Sequence, residues 1–160
     1  MPKLIIITGE ENPGLRTMCK PVKKFDSSLK KFAKDLKQAM FDANGLGIAA
    51  PQVDRQIRLF WVLLDLKTDD ERLVCMVNPD ILERSKAQET DEEGCLSLPG
   101  IFGQVERSKK IKVEFFDLDG RKMMLELKGL NARVVLHEND HLNGVLFIDK
   151  LSEVEEKELL

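Results

Sequence analysis

The two histidines of this chain stand four residues apart, in His137-Glu138-Asn139-Asp140-His141. A helix sets residues i and i+4 on one face, about 6 Å apart, so both imidazoles can reach one metal ion. Glu138, one residue on, would then stand beside the ion, where a general base for an attacking water belongs. Leu130, Val134, His137 and His141 recur at helical spacing, so residues 130–142 are expected to form a helix with this face buried. Two core histidines beside a solvated Glu would leave the pattern a coincidence.

A catalytic metal site usually has three protein ligands and one open position. There is no third histidine, which leaves a thiolate or a carboxylate. Glu153, Glu155, Glu156 and Glu158 would serve a thermolysin-like peptidase, but they lie at the chain's end. Cys95 is the better candidate. It lies in Glu92-Glu93-Gly94-Cys95-Leu96-Ser97-Leu98-Pro99-Gly100, read as a segment between strands, where Gly94 allows a close backbone approach and Pro99-Gly100 fixes a turn. Cys19 and Cys75 read as small buried hydrophobes. Three widely spaced cysteines make no disulfide framework and point to a reducing compartment.

With 160 residues, the chain reads as a single domain, 1–160, able to bury a real core. Its composition is 42% hydrophobic and 33% charged, which argues against disorder, and its net charge of −3 argues against a globally basic nucleic-acid binder. No apolar run approaches the ~18 residues that span a bilayer. Residues 4–7 read as a first strand, in an extended arm with a loop at Asn12-Pro13-Gly14. Residues 27–43 read as a helix whose lysines form a solvated face. Residues 57–64, 73–78, 111–116 and 122–127 read as strands, the last two joined by a hairpin turn at Asp117-Leu118-Asp119-Gly120. The acidic residues 152–160 suggest a short terminal helix. The expected class is α+β, with mostly antiparallel β-sheets around a central helix carrying H-E-x-D-H and an N-terminal helix.

Gly45-Leu46-Gly47-Ile48-Ala49-Ala50-Pro51-Gln52 superficially fits the G-x-G-x-x-A dinucleotide fingerprint. The context fails, because a helix precedes it and Pro51 leaves no room for one after it. The loop reads better as a close approach to a substrate backbone, allowed by Gly45 and Gly47, with Gln52 offering an amide N–H to a developing oxyanion.

Together these three segments resemble the peptide deformylase family, whose motifs G-x-G-x-A-A-P-Q, E-G-C-x-S and H-E-x-D-H stand here at residues 45–52, 93–97 and 137–141. The likeness extends to Asn12-Pro13-Gly14-Leu15-Arg16, the long first helix and the strands at 107–127. It implies a metal-dependent hydrolase that removes the formyl group from N-terminal formyl-methionine of newly made polypeptides. Carried over, Cys95, His137 and His141 bind one divalent metal, commonly Fe²⁺, with Zn²⁺, Ni²⁺ or Co²⁺ as alternatives. Glu138 is the general acid/base, and Gln52 and the Leu96 N–H flank the oxyanion. Glu93 orients His137, and Arg107 pairs with Asp140. Leu46, Gly47 and Gly94 meet the peptide backbone, while Leu130, Val134 and the stem of Arg133 line the methionine pocket.

Two features depart from the family pattern. Leu136 stands where the family usually has Gln, and the acidic end replaces a basic C-terminal helix linked to ribosome docking. The resemblance therefore implies a monomer acting on nascent chains, with any ribosome contact transient and not made through that end. It acts in a bacterial or phage-infected cytoplasm, or in an organelle. A thermolysin-like peptidase and a non-catalytic peptide or metal binder are the competing readings.

Overall fold

The computed structural model describes residues 3–156. In chain order its elements are α1 (Pro13–Arg16), α2 (Ser27–Asp42), β1 (Gly47–Ala49), a 3-10 turn at Ala50–Val53, β2 (Leu59–Leu64), β3 (Arg72–Arg84), β4 (Gln88–Cys95), β5 (Leu98–Ser108), β6 (Lys110–Phe116), β7 (Lys122–Lys128), α3 (Leu130–Leu142), a 3-10 turn at Phe147–Lys150 and β8 (Leu151–Glu156). A five-stranded sheet runs β1-β2-β3-β6-β7 and a three-stranded sheet β4-β5-β8, every pair antiparallel.

β2 shows how the layers form. Its sequence Leu-Phe-Trp-Val-Leu-Leu is apolar throughout because both of its faces are covered. Leu59 and Trp61 pack in the cluster of Leu29, Phe32, Leu36 and Met40, the buried stripe of α2. Phe60, Val62 and Leu64 point the other way, into the cluster of Ala132, Val135, Leu136 and Leu142 of α3. Trp61 Nε1 donates to Ala33 O at 2.7 Å, fixing α2 on its face. Asp26 starts α2 by accepting from Leu29 N at 3.0 Å.

α3 lies between the two sheets. Its apolar side meets the large sheet, while Arg133, His137 and Asp140 reach the side chains of β4 and β5. A third cluster, Leu15, Leu98, Val105, Leu146 and Phe147, closes the small sheet. Gly144, at φ +72°, packs so tightly on α1 that a Cβ there would lie 2.6 Å from Arg16 O.

Several expectations change. Residues 4–7 form no strand: Ile7 N donates to Gln52 O at 2.8 Å, and Leu4 and Ile6 cover the α2 core. Within the arm, Asn12 caps the short helix α1. The segment around Cys95 is not a connection between strands but the closed end of the β4–β5 hairpin, paired from Gln88↔Ser108 to Cys95↔Leu98. The described part of the acidic tail, Leu151–Glu156, is a strand and not a helix. β8 adds to the edge of β5, from Val105↔Leu151 to Ile101↔Glu156, and the rest of the tail lies outside the described residues. Backbone pairing with a free edge there outweighs the helical preference of the glutamates.

Phe60 has no exposed surface. Phe60→Ala is expected to lower the unfolding free energy by about 3–5 kcal/mol, read from the urea midpoint. A loss below about 1 kcal/mol would contradict a strand covered on both faces.

Candidate metal centre

The hairpin and the central helix bring three ligand atoms together. A bulge between Gly94 and Cys95 breaks the β4–β5 register and re-aims Cys95, with Leu96 and Ser97 forming the turn. On α3, His137 and His141 are one turn apart, with ring centroids 5.2 Å from each other. Cys95 Sγ lies 3.3 Å from His141 Nε2, and the ligand atoms of Cys95, His137 and His141 all lie within 4.8 Å of one another. His137 is oriented by Glu93, whose Oε1 lies 2.9 Å from Nδ1, which leaves Nε2 free for a ligand. Phe147 stacks on the same ring at 6.1 Å.

The two imidazoles are shifted in opposite directions. Burial, with the charges of His137 and Arg107, pushes the His141 pKa well below its usual value, so the imidazole is neutral, as a ligand must be. His137 is shifted the other way: burial opposes its charge, but hydrogen bonds to Cys95 and Glu93 prevail. Glu93 would be raised by burial, yet hydrogen bonds from His137 and Arg107, with their charges, bring it down to about 2. Arg107 holds it with Nε at 2.6 Å and Nη2 at 2.9 Å, and reaches Asp140 with Nη1 at 2.9 Å.

Glu138 is buried, and its Oε1 has no hydrogen-bond partner among the described residues. Burial raises its pKa to about 7. An unpaired buried carboxyl oxygen beside a cysteine sulfur and two imidazoles fits a water-activating metal site. The soft thiolate and imidazole donors suit Fe, Zn, Ni or Co rather than Mg or Ca.

Gln52 is fixed at both ends. Its Oε1 accepts from Ala49 N at 2.9 Å, while Nε2 reaches Ser97 Oγ at 3.1 Å and Cys95 Sγ at 3.6 Å. The amide nitrogen therefore sits between Ser97 and the ligand sulfur.

A cavity of about 500 Å³ opens beside these groups. Leu46, Gly47, Gln52, Gly94, Leu96, Leu130, Arg133, Val134 and Glu138 all line it. The glycines allow close approach within the protein itself. A Cβ on Gly47 would lie 2.6 Å from Glu138 Oε2, one on Gly45 2.8 Å from Leu96 Cδ1, and one on Gly94 2.7 Å from the Phe102 ring. They make room for the protein's own site groups. Arg133 contributes more than its stem, because its guanidinium is buried on Glu93 at 2.6 Å. Leu136 packs in the α3–sheet core, away from the ligands. Sequence reasoning gave no role to Ser97 or Phe147. Ser97 stood inside the quoted motif, whereas only the fold brings Phe147 to His137.

A Cys-His-His cluster beside a buried carboxylate and a cavity has the makings of a metallohydrolase site. Comparison with known proteins narrows the class. The family model for polypeptide deformylase matches residues 4–157. Peptide deformylase of Brucella suis biovar 1 is 45% identical over 143 residues, covering 89% of this chain and 82% of that one. The crystal structure of peptide deformylase from Thermotoga maritima superposes with a TM-score of 0.89 at 43% identity, covering 95% of this chain and 99% of that one. A peptide deformylase from Synechococcus elongatus, in complex with actinonin, matches with a TM-score of 0.89 at 36% identity, covering 95% and 82%. The chain belongs to the polypeptide deformylase family, hydrolases that remove the formyl group from the N-terminus of newly made polypeptides.

Gly47→Ala is expected to displace Glu138 and lower kcat on the order of 10²-fold while metal content stays unchanged. A kcat within about twofold of the parent would mean that this contact does not set the carboxylate's position.

Proposed function

We propose that Cys95, His137 and His141 hold one divalent metal, natively Fe²⁺, with Zn²⁺, Ni²⁺ or Co²⁺ able to replace it. The observation that carries this reading is the Cys-His-His cluster beside the unpaired Glu138 carboxylate. The reaction is hydrolysis of the formyl amide of N-terminal formyl-methionine on a nascent polypeptide, releasing formate. When bound, the metal supplies Lewis acidity to the formyl carbonyl and the attacking water.

The chain's own groups do the rest. Leu130, Val134 and the stem of Arg133 take the methionine side chain, and Leu46, Gly47 and Gly94 meet the peptide backbone. Glu138 takes the proton of the attacking water and passes it to the departing amine. Gln52 Nε2 and the Leu96 N–H donate to the oxygen that gains charge, each contributing about 3 kcal/mol. Glu93, backed by Arg107, fixes the tautomer of His137, and Asp140 anchors Arg107 in turn.

The whole chain acts as one catalytic domain. We read the acting unit as a monomer. No helix among the described residues is long and apolar enough to cross a membrane. We place the protein where formylated chains are made, in a bacterial-type cytoplasm or an organelle. Any ribosome contact is transient and does not run through the acidic end.

Glu138 acts only as a carboxylate, so kcat/KM is expected to fall as pH drops through its titration. Burial puts that near 7, and a cation beside it moves the acid limb lower. Glu138→Gln is expected to keep its metal, lose that limb and lose about 10²–10⁴-fold in kcat. Near-parental turnover would sink the general-base assignment. Gln52→Ala is expected to cost about 10²-fold in kcat, and a change in KM alone would remove Gln52 from the oxyanion site.

A further inference from the structure

Arg133 lies one turn before His137 on α3, and both side chains reach the same carboxylate. Arg133 Nη1 donates to Glu93 Oε2 at 2.6 Å, while His137 Nδ1 lies 2.9 Å from Glu93 Oε1. That is the i, i+4 spacing that places two side chains of a helix on one group. The rest of the guanidinium spans the hairpin. Nη1 also donates to Val105 O on β5 at 2.9 Å, and Nη2 donates to Glu89 O on β4 at 2.6 Å.

The metal ligands come from two separate elements, Cys95 from the hairpin and both histidines from the helix. Ligand distances tolerate only about 0.2 Å, so the separation of those elements must be fixed. Arg107 shares Glu93 Oε2 with Arg133 and reaches α3 through Asp140. Arg107 thus ties Glu93 to the helix only at Asp140, three residues after His137. Arg133 ties the same carboxylate, and both strands, to the turn of helix that bears His137.

We propose that Arg133 is a positioning residue for the metal centre, locking Glu93 against His137 and clamping the Cys95 hairpin to α3. This rests on the metal-site reading above and goes beyond a role for its stem in the methionine pocket. The competing role is direct substrate contact, because Arg133 also borders the cavity.

The test uses the full chain with Arg133→Met and Arg133→Lys, loaded with Zn²⁺ or Co²⁺. Zinc affinity is read by chelator competition, cobalt geometry by the visible thiolate and d–d bands, and kinetics on a formyl-methionyl tripeptide. Arg133→Met is expected to bind Zn²⁺ about 10–100-fold more weakly, with altered cobalt bands and a lower kcat, KM staying within about twofold. Arg133→Lys, which keeps a cation but not all three contacts, is expected to recover part of that affinity. Parental zinc affinity and cobalt bands with a raised KM would overturn the proposal in favour of substrate contact. If Arg133→Met does not fold, Arg133→Lys decides: zinc affinity equal to the parent's would overturn it. Zinc affinity is read without turnover, so a parent that binds zinc but releases no formate would fail the functional reading and leave this one standing.

Discussion

Glu93 keeps its negative charge inside the protein because two guanidinium groups and an imidazole surround it. A carboxylate taken out of water costs several kcal/mol unless it is paired and hydrogen-bonded. Here Arg107 meets both of its oxygens, Arg133 one and His137 the other. These contacts join the small sheet to the central helix through charged groups, where the other side of that helix is held by apolar packing. Removing any single member would strand a buried charge, so the cluster fixes the relative position of α3 and the β4–β5 hairpin. The three ligand atoms depend on that position.

The second constraint is closeness. The glycine loop runs so near α3 that no side chain fits at Gly47, and Glu138 lies in the space that results. Gln52, held by Ala49 and Ser97, closes the opposite wall. Contacts within the protein therefore position the site groups on each side, as electrostatic stabilisation of a charge-separated transition state requires. Burial raises Glu138 towards neutrality, while the paired Glu93 is driven the other way. Two carboxylates near one another are thereby set for different tasks by their surroundings.

Much of this was legible in the sequence where the signal was local. The helix of residues 130–142 followed from its apolar period and is observed with the expected bounds. The four apolar strands were visible because β-branched, aromatic and leucine residues cluster in them. β4 was not, because Gln-Glu-Thr-Asp-Glu-Glu carries no apolar alternation, and its strand state comes from pairing with β5. The tail was misread for the same reason: its glutamates favour a helix locally, but an open sheet edge decides. The three motifs and their spacing pointed to Cys95, His137, His141, Glu138 and Gln52, and the fold gathers all five. The guanidinium of Arg133 could not be read from sequence, since its partners lie 28 to 44 residues away.

The central claim is that a Cys-His-His metal site drives deformylation. Formate release from a formyl-methionyl tripeptide, measured anaerobically with metal analysis of the same sample, tests it against Cys95→Ala. One metal per chain and turnover, both lost in the variant, is the predicted result. Metal and activity retained in Cys95→Ala would contradict the claim, moving the third ligand to a carboxylate and reopening the peptidase reading.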